Sequence, residues 1–224
     1  MRERATAIGM ALVLAAGLAC SGAESHVVSQ YFTALRANDQ GTLTSFAMVA
    51  FDQTVDDWKV ISVSPETKAP ATLPDLVKKQ KDLEAELAKN TRDARAWGND
   101  LTVYPKLDKV REFEKAGKPV PANLQAIHQK WTEFNDKDRE LKKAVSEAKG
   151  SVEREKRNVT LSVGQADDIE TLTGEVLSKS IDLNLTIGGE VKPYVMTLRK
   201  YELTGGAGPR MVSRWVVQSL TPKV

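Results

Sequence analysis

Ser180-Ile181-Asp182-Leu183-Asn184-Leu185-Thr186-Ile187, followed at once by Gly188-Gly189, is the stretch that decides the fold. Apolar residues hold every second place and polar residues fill the gaps. Successive side chains of a strand point to opposite faces, so the pattern predicts an antiparallel strand with one buried face and one wet face. The glycine pair supplies the positive φ angles of a tight hairpin turn. Downstream, Tyr194 to Leu203 reads as the next strand, Gly205-Gly206-Ala207-Gly208-Pro209 as a turn, and Met211 to Leu220 as a last strand. Upstream, Val159, Leu161 and Val163 alternate as well, which places another strand at the head of this block. A meander with one oily face is not stable alone in water, so another part of the chain must cover it.

The cover comes from the other end of the chain, in a block from Ser25 to Ser64. Val28, Tyr31, Phe32 and Leu35 stand at helical spacing. Asn38-Asp39-Gln40-Gly41 breaks that helix, and Thr42 reads as the cap of a second one carrying Leu43, Phe46, Ala47 and Ala50. Trp58 to Val63 reads as a strand closed by Ser64-Pro65. Two helices with one strand cannot bury their apolar sides alone, and neither can the meander. Packed together they can, which predicts an α+β domain built from residues 27–64 and 159–224.

The chain between them is of another kind. Pro65 to Pro74 reads as a proline-bearing linker. Residues 74–158 are helical in pattern and densely charged. Leu124, Ile127, Trp131, Phe134, Asp138, Leu141, Val145, Ala148, Val152, Glu155 and Val159 alternate at spacings of three and four, a heptad seam with two polar interruptions. Leu76, Gln80, Leu83, Leu87, Asn90, Ala94, Trp97 and Leu101 form a weaker matching seam. Tyr104-Pro105 interrupts it, and a short helix can restart from Lys106 through Leu107, Val110 and Phe113. Ala116 to Pro121 is a turn. Two seams of similar length predict an antiparallel coiled-coil hairpin inserted in the domain, about 45 Å long at 1.5 Å per residue.

Of the 224 residues, 32 are basic and 30 acidic, and this near-balance speaks against a dedicated nucleic-acid binder. One cysteine excludes an internal disulfide, and His26 and His128 stand too far apart in sequence for HExxH-type metal spacing. Neither a metal nor a cofactor is expected.

Met1-Arg2-Glu3-Arg4 makes a basic start, and Ala5 to Ala19 is small or apolar apart from Thr6. That run falls short of the roughly 20 apolar residues that span a bilayer. It predicts a signal peptide over residues 1–19. The run ends in Ala16-Gly17-Leu18-Ala19-Cys20, followed by Ser21. This resembles the lipobox of bacterial lipoproteins, although leucine stands one place later than the pattern has it and Gly17 occupies the usual place. The resemblance implies a lipid-bearing Cys20, a tether over residues 20–26 that includes His26, and a location in the bacterial cell envelope. With serine rather than aspartate after the cysteine, it implies the outer membrane, facing the periplasm. The alternative is an ordinary secreted protein cut after Ala19 or Ala23.

Tyr31-Phe32-Thr33-Ala34-Leu35-Arg36-Ala37-Asn38-Asp39, then Leu43 and Phe46, resembles the opening helices of the nuclear transport factor 2-like superfamily. Arg214-Trp215-Val216-Val217 resembles its last strand. The resemblance implies a curved antiparallel sheet wrapped on the N-terminal helices, with an open end that serves as a pocket in some members. Residues that could line such a pocket are Tyr31 and Tyr194. Asp39, Asp52, Asp56 and Asp57 are carboxylates that an isomerase-like site could use, but their spacing selects no working set, so no catalytic residue is named. Tyr31 is otherwise an ordinary core aromatic. His128 falls one place off the seam and is expected to face solvent.

Trp97 and Trp131 stand on the seams, where a slim two-stranded coil packs such rings at a cost. Either the helical layer is wide, or the rings serve a protein partner, since aromatics are enriched at interfaces. The sequence thus points to a lipid-anchored, non-enzymatic interaction module that meets an envelope protein through its hairpin. A small-molecule or isomerase-like pocket inside the cone is the alternative. Oligomeric state is not legible.

Overall fold

The computed structural model describes residues 22–166, 168–205 and 213–223. The expected signal peptide over residues 1–19, Cys20, and residues 206–212 of the expected turn and last strand lie outside the described residues. The chain is α+β. In order come α1 (Ala23–Arg36), α2 (Gln40–Phe46), β1 (Asp57–Val63), β2 (Thr67–Pro70), α3 (Leu73–Gly98), α4 (Tyr104–Lys115), α5 (Gln125–Val163), β3 (Thr173–Ile187), β4 (Glu190–Thr204) and β5 (Val216–Pro222). The strands form one open antiparallel sheet in the order β1-β3-β4-β5, with β2 also on β3.

The two long strands carry the architecture. β3 and β4 pair without a break from Thr173↔Thr204 to Ile187↔Glu190, closed by Gly188 and Gly189 at φ 58° and 83°. Near this hairpin end, Ile181, Leu183 and Leu185 of β3 and Tyr194, Met196 and Leu198 of β4 share one face. Val28, Tyr31, Phe32, Leu43 and Phe46 of α1 and α2 pack on that face. The two ends of the chain therefore do bury their apolar sides together. Toward the other end Leu177 of β3 keeps the first parity, and burial extends to the opposite parity at Val176 on β3 and at Tyr201 and Leu203 on β4. With an unbroken register and a side-chain period of two, these last three residues lie on the opposite face. There they pack with Leu73 of α3 and Val152 and Val159 of α5. The sheet is thus covered by α1 and α2 at one end of one face, and by the base of the α3–α5 pair at the other end of the other face.

This second cluster corrects two expectations. Val159, Leu161 and Val163 are not a strand but the last turns of α5, which stops at Gly164 (φ 84°). The buried residues Val152, Glu155, Asn158, Val159 and Ser162 recur at helical spacing, so the sheet completes one face of a helix. The segment 65–74 is not wholly linker either, because Thr67–Pro70 pairs with Ser178–Glu175 of β3. All four of its residues are exposed, so no apolar alternation advertises it. Pro70 suits an edge strand, where no neighbour needs its missing N–H.

Smaller corrections follow from local chemistry. Asp39, not Thr42, caps α2: its carboxylate accepts from the Thr42 N–H at 2.9 Å and from the Thr42 hydroxyl at 2.6 Å. These bonds lower its pKa below the ordinary aspartate value. Gln40 and Gly41 already belong to the helix, and the break is the left-handed Asn38. α1 begins at Ala23, so His26 is an exposed residue of that helix and not part of a tether. The last strand begins at Val216, while Ser213 to Trp215 run outside it. α4 begins at Tyr104, with Pro105 in its first turn, where a missing N–H costs no helical bond.

Gly174 of β3 holds a φ of 146°, and a Cβ there would sit 2.2 Å from the Glu202 carbonyl oxygen. Gly174→Ala is expected to lower stability by about 2 kcal/mol through backbone strain and overpacking. Urea unfolding checks this, and a midpoint equal to that of the native chain would refute it.

Candidate functional site at the far end of the helical pair

α3 and α5 run antiparallel. Thr72 meets Glu155 at the base, Glu86 pairs with Lys137 at 3.0 Å, and Trp97 packs on Phe134 with ring centroids 5.6 Å apart. Asn90, a polar seam residue, is buried and donates its amide N–H to the Phe134 carbonyl at 3.2 Å. A bonded polar residue in an apolar seam favours one register over its slips.

Beyond Asn90 a third helix joins the pair. The chain leaves α3 after Gly98 and returns as α4, whose buried residues are Leu107 and Val110. Gly98 lets α4 approach, since a Cβ at that position would meet Leu107 Cδ2 at 3.3 Å. α4 is tied to α5 by His128, whose Nε2 lies 3.2 Å from Glu114 Oε1. That contact half-buries His128 and corrects its placement on the solvent face. The two seams are therefore not equal arms. α3 has 26 residues and α5 has 39, and α4 fills part of the difference.

Where the three helices meet they leave a cleft of about 280 Å³. α5 contributes Trp131, Phe134, Asn135 and Asp138, which recur at helical spacing on one side. Arg95 and Asn99 come from the end of α3, and Tyr104 and Arg111 from α4. The Arg111 guanidinium lies 4.5 Å from the centre of the Trp131 ring, a cation–π contact. Asp138 is held by Lys142 at 2.7 Å. At the turn into α4, Leu101 is 91% exposed and Tyr104 53% exposed.

The chain matches no protein-family model, no curated protein and no solved structure.

The expected site residues fall in three places. Trp131 lines the cleft, whereas Trp97 is half-buried in the α3–α5 seam beside it. Tyr31 and Tyr194 belong to the packing between α1 and the sheet. The Tyr31 hydroxyl donates to the Val49 carbonyl at 3.1 Å, and burial pushes its pKa up to about 12. Tyr194 packs edge-on against Phe51 at 5.3 Å. Cys20 lies outside the described residues. Three of the four carboxylates considered for chemistry do local work: Asp39 caps α2, Asp56 accepts from the Gly189 N–H at 3.2 Å, and Asp57 stands 4.0 Å from Arg36, while Asp52 is exposed. Among the described residues, no group of three or more His, Cys, Asp or Glu could hold a metal ion, and no helix is long and apolar enough to cross a membrane.

Arg95, Asn99, Tyr104, Arg111 and Asn135 were not singled out from the sequence. A signal was available. Gly98 followed six residues later by Tyr104-Pro105 marks a place where one helix ends and another can fold back on it.

Proposed function

We propose that this protein is a non-enzymatic interaction module of the bacterial cell envelope, held to a membrane by lipid on Cys20. Its α3–α5 segment acts as a coiled-coil arm inserted in a nuclear transport factor 2-like domain, and the far end of the arm docks a protein partner. The supporting observation is the pairing of exposed Leu101 and Tyr104 with the aromatic cleft beside them, well away from the sheet. Large exposed apolar side chains next to a concave aromatic surface are features of interfaces. With α1 starting at Ala23, two residues separate its first residue from Cys20, so a lipid there holds the folded domain within about 10 Å of the bilayer at the chain's extended reach.

The test has two arms. A photo-crosslinking residue at Leu101 of the full-length chain, expressed in its native envelope, is expected to give a discrete protein adduct. The same residue at Val191, 64% exposed on the sheet hairpin, is expected to give none. Equal yields from both positions would refute docking by the arm. Cys20→Ala should move the protein from the membrane fraction to the soluble fraction, and retention in the membrane would refute the anchor.

A further inference from the structure

The distal cleft has walls of distinct chemistry. Trp131, Phe134 and Tyr104 give it an apolar side, Asn99 and Asn135 offer amides, and Arg95 and Arg111 bring positive charge. Its one carboxylate, Asp138, is engaged by Lys142. Neither Arg95 nor Arg111 has an ion-pair partner among the described residues. The cleft therefore carries two uncompensated cations beside an aromatic surface.

Each feature narrows the ligand. Two guanidinium groups select an anion, and their planar forks match a carboxylate or a phosphate. Arg111 is oriented by its stack on Trp131, so less freedom is lost when it binds. That stack occupies one face of the Trp131 ring. A bare phosphate would leave the aromatic wall uncovered. About 280 Å³ is small for a drug-sized ligand but suits the last one or two residues of a peptide.

We propose that the cleft captures the free carboxylate end of a polypeptide whose last side chain is apolar. Arg95 and Arg111 take the carboxylate, the aromatic wall takes the side chain, and Asn99 and Asn135 take backbone groups. This deepens the docking role proposed for the arm and rests on it.

The experiment uses the full-length protein in detergent micelles at low salt. Acetyl-Ala-Ala-Leu is titrated by calorimetry as the free acid and as the C-terminal amide, with inorganic phosphate and a neutral disaccharide as further probes. The acid is expected to saturate at or below about 1 mM and to bind about tenfold or more tightly than the amide. Arg95→Gln is expected to weaken the acid by a similar factor at an unchanged melting temperature, because Arg95 is exposed and holds nothing in the fold. Equal binding of acid and amide overturns the proposal, as does phosphate or disaccharide binding as tightly as the acid, or no saturation by the acid at about 10 mM. The two proposals fail separately. An adduct from Leu101 without peptide binding removes the carboxylate site and leaves the docking arm; peptide binding without an adduct does the reverse.

Discussion

Phe32→Ala is expected to lower the unfolding free energy by about 4 kcal/mol, the upper-middle range for deleting a buried phenylalanine. Phe32 is fully buried between α1 and the sheet. Its ring stacks on Trp58 at 5.2 Å and meets Tyr31 edge-on at 5.3 Å. Removing it takes away two aromatic pairs as well as apolar area, and such pairs add about 0.5–1.5 kcal/mol each beyond burial. The neighbours cannot collapse freely into the space. Trp58 is also held by Arg36, whose guanidinium sits 4.6 Å from the ring and whose Nε donates to the Val55 carbonyl at 3.2 Å. Tyr31 is tethered through its hydroxyl to Val49. A cavity is therefore expected to persist, and cavity volume is what makes these deletions costly. Urea unfolding followed by tryptophan fluorescence reads the loss. A change below about 1 kcal/mol would mean that α1 is not part of the cooperative core.

The same contacts show what was legible in the sequence. Ile181, Leu183 and Leu185 alternate cleanly with polar neighbours, and Val28, Tyr31 and Phe32 recur at helical spacing. Period alone then matched the right helix to the right strand face. Val159 to Val163 misled because three apolar residues at every second place satisfy a strand template even within a helix. What decides is Ser162, a polar residue buried only because its hydroxyl accepts the Tyr201 N–H at 3.0 Å and donates to the Arg214 carbonyl at 2.8 Å. Both partners are distant in sequence, so nothing local reveals them. β2 was hidden for the complementary reason, being pure backbone pairing with exposed side chains. In the distal cleft, Trp131 was visible as an oversized seam residue. Arg95 and Arg111 were not, because charged residues on a helix surface are usually solvated and only the fold-back of α4 brings these two to one place. Lys179 resists sequence reading in the same way. It sits at an exposed-looking place in a strand, yet it is paired with Glu24 and lies over the Trp215 ring at 5.3 Å. The hydrogen bond from Lys179 holds the Glu24 carboxyl below the ordinary glutamate range and ties the start of α1 to the sheet.

Glu155→Ala is expected to cost about 3–4 kcal/mol, and to do so by loosening the base of the arm. Glu155 appears in the sequence as a polar gap in a heptad seam. In the fold its carboxylate is buried at the junction of α3, α5 and β4. Oε1 accepts from the Tyr201 hydroxyl at 2.9 Å and from Thr72 at 3.3 Å, while Oε2 accepts from the Asn158 amide at 3.2 Å. Arg199 stands 3.7 Å away and supplies the compensating charge. Burial and the neighbouring Glu155 charge push the Tyr201 pKa well above the ordinary tyrosine value, so this hydroxyl stays protonated and donates. Alanine would leave the Tyr201 hydroxyl and the Asn158 amide without their acceptor in a dry place, and each such orphan costs about 1–3 kcal/mol. Arg199, 38% exposed, turns to water and softens the loss. An ordinary cavity mutation predicts a different pattern. If the cost lies in orphaned donors, Tyr201→Phe added to Glu155→Ala should recover part of the stability, because it removes one orphan. If the cost were cavity alone, the second substitution would recover nothing. Hydrogen exchange separates the arm from the sheet. Amides of α5 near Val152 should lose protection first, while those of β3 at Leu183, on the other face and far along the strand, should follow only the global unfolding free energy. Uniform loss of protection across both would show that the arm and the sheet unfold as one unit, with Glu155 stabilising the whole chain and not the joint.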